Sequence, residues 1–111
     1  MFTITLNRIH DRVRIVEGDE RLELRVDADP MRMVAGLNEA QRRLREISDE
    51  SAPEIQHDAS LYFAGVIFGQ EQAQKLMEFY HDDAACVINV CGRYFSGRLA
   101  KMIEKAQKKM R

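Results

Sequence analysis

The sequence predicts an α+β fold: an N-terminal antiparallel β-hairpin or three-stranded meander, followed by a bundle of about four α-helices. Three observations predict it. Period-two alternation is confined to residues 1–28, the apolar spacing switches to three and four residues at Asp29-Pro30, and no repeat or long linker follows. The chain has 111 residues, 45% of them apolar and 32% charged. That suits a single domain, 1–111, able to bury a core without disulfides or a metal. A β-rich segment over 1–28 precedes a helical region over 29–111 that ends in a basic helix.

In the β-rich segment, Phe2, Ile4 and Leu6 alternate with Thr3, Thr5 and Asn7. Val13 and Ile15 alternate with Arg12 and Arg14, and Leu22, Leu24 and Val26 with Arg21, Glu23 and Arg25. Such patterning means a sheet with one buried and one wet face. "EGDE" at 17–20 signals a hairpin turn between the second and third strands, and "NRIHD" is the expected turn of the first pair. A sheet this small needs a helical layer on its apolar face.

Asp29 is the expected cap of the first helix, with Pro30 in its first turn. Met33, Val34, Leu37, Ala40, Leu44 and Ile47 then mark an amphipathic helix to about Ser48. "SDESAPEIQHD" reads as a polar connector. The next helix is expected from near Asp58, with Leu61, Tyr62, Gly65 and Phe68 as its stripe and Gly69 ending it in the αL conformation. A short helix over 71–80 buries Ala73, Leu76 and Met77. Asp82 or Asp83 caps the last helix. Its first half, with Val87, Ile88, Val90, Cys91, Tyr94 and Phe95, is apolar nearly all round and so expected to be central.

No window approaches the roughly 18 uninterrupted apolar residues of a membrane span. "MFTITLNRIHDRVR" lacks the basic-then-apolar order of a signal peptide, so a cytosolic protein is expected. Cys86 and Cys91 fit that compartment. On one helix they point about 140° apart at ~100° per residue, too divergent for a disulfide, and read as small buried thiols. The net charge of −1 hides an asymmetry: residues 1–91 carry 10 basic and 17 acidic side chains, residues 92–111 carry 7 and 1. An acidic body does not suit a general nucleic-acid binder, whereas the basic tail asks for an explanation.

Catalytic chemistry has no candidate constellation. His10, His57 and His81 fall at separate turns or helix ends, and no CxxC or HxxxH pair is available for zinc. Asp82 and Asp83 are adjacent acids at a helix start, the signature of a cap. "FGQEQ" lacks the GK[ST] of a phosphate loop, and no serine stands in a GxSxG context. An apolar setting raises thiol pKa values and blunts Cys86 and Cys91 as nucleophiles. No catalytic residue, metal or cofactor is expected, and no membrane.

The tail "GRLAKMIEKAQKKMR" has three readings. Basic side chains at a helix C-terminus are favourable with its dipole and can simply be solvated. Alternatively, the helix lays Leu99, Met102, Ile103, Ala106 and Met110 into a partner, with Lys101, Lys105 and Lys108 beside them, because the stripe looks longer than the domain needs. In the third reading, the lysines neutralise nucleic-acid phosphates, although no helix-turn-helix precedes them.

"LRVDADPMRMVAGLNEAQRRL", "YFAGVIFGQEQAQKLM" and "AACVINVCGRYFSGRLAKMIEKAQKK", in that order after a β-rich N-terminus, resemble small tail assembly chaperones of long-tailed phages and prophages. The resemblance runs from about Leu22 to Lys109. Its most telling part is Phe68, Gly69 and Glu71 followed by a helix. It implies a non-enzymatic role in the bacterial host cytoplasm: binding the tape measure protein, keeping it soluble, and helping tail tube protein polymerise around it. It also implies absence from the finished virion and, in many phages, a longer frameshifted form. No site residue carries over, because the pattern consists of core and turn positions. Adaptable methionines (Met31, Met33, Met77, Met102, Met110) suit such a holdase, though they equally suit a core. A homo-oligomer that shields a sticky face is expected. Two other classes fit the size and element order: a small DNA-binding regulator using the basic C-terminal helix, and a structural head–tail connector component.

Overall fold

The computed structural model describes residues 1–4 and 8–109, the last by its backbone alone. Strand β1 (Ile9–Glu17) pairs antiparallel with β2 (Glu20–Ala28), in register from Ile9 opposite Ala28 to Glu17 opposite Glu20. Gly18, at φ 61°, opens the two-residue loop, the glycine-first pattern of a II′ hairpin turn. Ile9, Ile15, Leu24 and Val26 are buried against the helices, with Val13 and Leu22 packed beside them. Among the described residues the fold is α+β: a hairpin followed by four helices, the last of them carried through a π turn to the C-terminal segment.

Among the described residues the sheet has two strands, where a meander was the fuller expectation. Residues 1–4 form no strand, and Phe2 and Ile4 are 88% and 69% exposed; Leu6 lies outside the described residues. "NRIHD" is not a turn over its described residues either, since Ile9, His10 and Asp11 belong to β1. The physical reason is phase. Ile9 continues the alternation of Val13 and Ile15 backwards, so the strand gains a buried side chain by extending.

Helix α1 (Pro30–Glu46) starts as expected, the Met31 amide donating to Asp29 Oδ1 at 2.9 Å with Pro30 in the first turn. Helix α2 (Pro53–Phe68) starts well before Asp58. A proline read as a connector residue instead occupies the first helical turn, where its missing N–H costs nothing. Gln56 steadies the connector by donating to the carbonyls of Ser48 and Ser51. Gly69 alone joins α2 to α3 (Gln70–Phe79). Its φ of 85° and ψ of 158° place it not in the αL region but in the mirror-extended region that is essentially glycine's alone.

After α3 the chain closes a Schellman motif: the His81 amide donates to the Glu78 carbonyl and the Asp82 amide to that of Met77. His81 (φ 53°) thus holds the left-handed position where glycine is usual, and Asp82 follows at φ 61°. Asp83 caps α4 (Ala84–Tyr94) through the Cys86 amide. A π turn, Phe95–Leu99, then leads without a break into α5 (Ala100–Lys109).

The central helix is α2, not α4. It packs against α1, α3, α4 and β2, and buries Ala59, Ser60, Phe63, Ala64, Ile67 and Phe68. Of the expected stripe only Phe68 is fully buried; Leu61, Tyr62 and Gly65 are half-buried. Small residues on α2 let neighbours come close. At Gly36 of α1 a Cβ would sit 2.8 Å from a Val66 methyl, so this crossing requires glycine. In α4 only Val87 and Cys91 are buried. Among the described residues no helix is long and apolar enough to cross a membrane.

Candidate partner-binding surfaces

The C-terminal helix does not present the stripe expected of it. Leu99 is wholly buried, Ile103 and Ala106 nearly so, and Met102 packs against the same core. Helix α5 lies against α1 and β1, which consume its apolar side. That side is therefore core in this chain, not a free partner surface; Met110 lies outside the described residues. Lys101, Lys105 and Lys108 are exposed on the other side, Lys108 reaching Glu104 at 3.4 Å.

The π turn explains how one helix keeps its stripe inward so long. Val87, Cys91, Phe95, Leu99 and Ile103 recur at four successive steps of four, which on an ideal helix drift by roughly 160° at ~100° per residue. One wide turn, marked by the Ala100 amide donating to the Phe95 carbonyl, absorbs part of that drift. The Ser96 hydroxyl donates back to the Gly92 carbonyl at 2.9 Å, a bond that favours distortion there.

Opposite the π turn stands Asp11, on the apolar phase of β1 and only 8% exposed in its side chain. Arg98 Nε donates to Asp11 Oδ2 at 2.6 Å and the Tyr94 hydroxyl donates to the same oxygen at 2.9 Å. Burial alone would raise the Asp11 pKa, but these hydrogen bonds and the Arg98 charge outweigh it and hold the carboxyl below its usual range. Burial, with Asp11 second, pushes the Tyr94 phenol up, so it stays a donor. Tyr94 also stacks on Phe68, centroids 5.8 Å apart. Hairpin, central helix and π turn thus meet at one polar clasp. Sequence reasoning missed it by assigning Asp11 to a turn. The available signal was the phase of Val13 and Ile15, which puts an acid inside and so demands partners.

On the side of α1, Leu37, Asn38, Gln41 and Leu44 join Phe63 of α2 and Phe95 of the π turn around a half-open pocket of about 250 Å³. Its walls are mainly apolar, and its volume falls below the usual small-molecule range of roughly 300–1,000 Å³. It has room for one large apolar side chain. A broader hollow of about 770 Å³ lies between α1, α2 and α3, lined by Arg43, Asp58, Tyr62, Glu71 and Gln74 among others. Its arginine is already engaged, stacked 4.0 Å above the Tyr62 ring and donating to Glu39 at 3.1 Å. Arg42 also donates to Glu39, and the two arginines hold that carboxyl down to about 2.

The histidines and cysteines noted in the sequence form no metal-binding group among the described residues. His10 lies within β1, 3.5 Å from Asp27, rather than in a turn. His57 lies inside α2, 3.7 Å from Asp58 and 3.6 Å from Asp82. His81 is in the α3–α4 turn. Cys91 is buried, which pushes its thiol up to about 12. Cys86 is partly covered and also raised, by desolvation and then the Asp83 carboxylate. Both are free. Comparison with known protein families, curated proteins and solved structures finds no match to this chain.

Proposed function

We propose that the chain is a tail assembly chaperone of the phage or prophage kind, acting by protein–protein contact and not by catalysis in the cytoplasm of the bacterial host. Its client is the tape measure protein, with tail tube protein as a further partner. The observation that carries this reading is the apolar pocket of Leu37, Leu44, Phe63 and Phe95, open on one side and set on packed helices. It supports docking of one anchor from an amphipathic client helix, the helix-in-groove mode. The sequence resemblance over 22–109 supports it independently. The lysine side of α5 flanks no part of that pocket's lining and is left to solvation or to charge on the client.

The test is co-expression with a long, apolar tape measure protein, read by soluble yield and co-purification. Soluble, co-purifying client is expected from the natural chain. A Leu44→Asp variant, checked for an unchanged circular dichroism spectrum, should lose it. A client that stays insoluble with both proteins overturns the reading, and a Leu44→Asp protein that protects as well as the natural chain overturns the pocket. A DNA-binding regulator is the second reading, favoured by exposed Lys101, Lys105 and Lys108. It predicts affinity for duplex DNA that falls steeply as salt rises.

A further inference from the structure

The two edges of the hairpin are finished differently. On β2, the Arg25 amide donates to Gln72 Oε1 at 2.7 Å and Gln72 Nε2 donates to the Arg25 carbonyl at 2.6 Å. One side-chain amide from α3 therefore imitates a neighbouring strand and plugs that edge. The same pair fixes which groups point outward. Arg25 sits opposite Arg12, so these two form a non-hydrogen-bonded pair, and the outward amides and carbonyls of β1 belong to His10, Arg12, Arg14 and Val16. Among the described residues no backbone hydrogen bond from outside the hairpin reaches them; the Arg12 amide leans only on the adjacent Asp11 carboxylate.

The wet face beside this edge has one unresolved charge conflict. Arg14 faces Glu23 and bonds it at 2.9 Å, while Arg8 bonds Asp27 at 3.0 Å. Arg12 and Arg25 face each other, in the closest kind of cross-strand pair, and neither joins an ion pair among the described residues. Like charges directly opposite destabilise a hairpin. A shallow hollow of about 480 Å³ opens over them.

We propose that the outer edge of β1 takes an extended acidic segment of a partner protein as a third strand, its carboxylates falling between Arg12, Arg25 and Arg14. Main-chain hydrogen bonds supply affinity and alternate side chains supply specificity, as in other strand additions. Positions of the added strand on the wet phase carry Asp or Glu. On the opposite phase, which carries Ile9, Asp11, Val13 and Ile15, the positions beside Val13 and Ile15 are apolar. A second copy of this chain is a poor occupant: full-length antiparallel pairing of β1 with its own copy centres Val13 on Val13 and sets Arg12 against Arg14 on both sides of it. The described N-terminal residues, Met1 to Ile4, carry no carboxylate. Nucleic acid is disfavoured by the acidic tip, where Glu17, Asp19 and Glu20 cluster around the turn. This surface lies on the hairpin and does not rest on the chaperone reading.

Fluorescence anisotropy with an amidated eight-residue peptide alternating glutamate and valine tests the proposal on the full chain. Three comparison probes are the lysine–valine peptide, the glutamate–valine peptide N-methylated at alternate residues, and a short DNA duplex. The natural chain should bind the glutamate peptide best and lose affinity for the N-methylated form. Arg12→Glu removes the like-charge pair and so keeps the fold. It should weaken the glutamate peptide by roughly tenfold or more, since attraction becomes like-charge juxtaposition at the contact, and should gain affinity for the lysine peptide. The proposal is overturned by no binding of the glutamate peptide, by equal binding of the N-methylated form, by indifference to Arg12→Glu, or by tighter binding of the duplex.

Discussion

The C-terminal helix and the N-terminal hairpin each carry a row of exposed basic residues, and the two rows are held in opposite ways. The C-terminal stripe looks detachable in sequence, yet over its described residues it goes to the core: Leu99 of the π turn and Ile103 and Ala106 of α5 are buried, with Met102 packed beside them. Lys101, Lys105 and Lys108 are exposed, and Lys108 is partnered by Glu104 within the helix. The hairpin, by contrast, leaves β1 among the described residues with an edge that no outside backbone hydrogen bond reaches, and sets two arginines opposite each other. Basic residues at a helix end cost nothing and need no ligand. Opposed arginines in a strand pair cost stability and gain it back when an anion arrives. The lesson is that charge count does not locate a binding surface; local compensation of that charge does.

The largest expected effect breaks the helix side of this contrast. Leu99→Ala should destabilise by about 2–5 kcal/mol, the range for a fully buried leucine, read as a lowered denaturant midpoint with an unchanged slope. Truncation after Ser96 removes Leu99, Ile103 and Ala106 together and should leave no cooperative unfolding transition. A truncated chain that still unfolds cooperatively would return α5 to the status of an appendage.

Next comes the clasp that joins hairpin to helix. Asp11 is held below its usual pKa in the folded chain, so the unfolded chain binds a proton more readily. Its contribution is therefore complete above a pH of about 3.8, the ordinary value, and is lost as pH falls through the folded value. Asp11→Asn keeps the shape but removes the charge-assisted bonds. It should cost about 1–3 kcal/mol at pH 7 and flatten the acid limb of the stability curve. Glu39 titrates with the same sign, but it is more open to solvent and should contribute less to that limb. An Asp11→Asn curve parallel to that of the natural chain at every pH would show that the clasp carries no net charge-dependent stability.

How much of this was legible beforehand depended on whether a signal was local. Hairpin turn, helix caps at Asp29 and Asp83, and the break at Gly69 were readable, because one or two residues determine each. Pro53 was misread because proline marks loops and first helical turns alike, and only the backbone bonds of the Ile55 and Gln56 amides to the Ala52 carbonyl put it in the latter. The fate of α5 was not legible at all. An amphipathic stripe looks the same whether its partner is another protein or β1 of the same chain. The α1–α2–π pocket was invisible for the same reason, since Leu37, Phe63 and Phe95 are brought together only by the packing. Asp11 was the missed opportunity, an acid two residues before Val13 on the same apolar phase.

The smallest effect sharpens the contrast most. Lys101→Glu on α5 and Arg12→Glu on β1 make the same charge change on exposed basic residues, and area burial predicts no difference between them. Lys101 is solvated, so its reversal should move stability by no more than about ±0.5 kcal/mol, the range for ordinary surface substitutions. Arg12→Glu instead replaces a like-charge cross-strand pair with an opposite-charge one facing Arg25, and should stabilise by about 0.2–1 kcal/mol. The two variants should also part in salt. Raising ionic strength screens exposed charges, so the gain from Arg12→Glu should shrink toward zero near molar salt while Lys101→Glu stays flat. Equal stabilities for both variants at low salt would mean that the opposed arginines are relaxed by solvent, and the argument that β1 awaits an anion would lose its energetic basis.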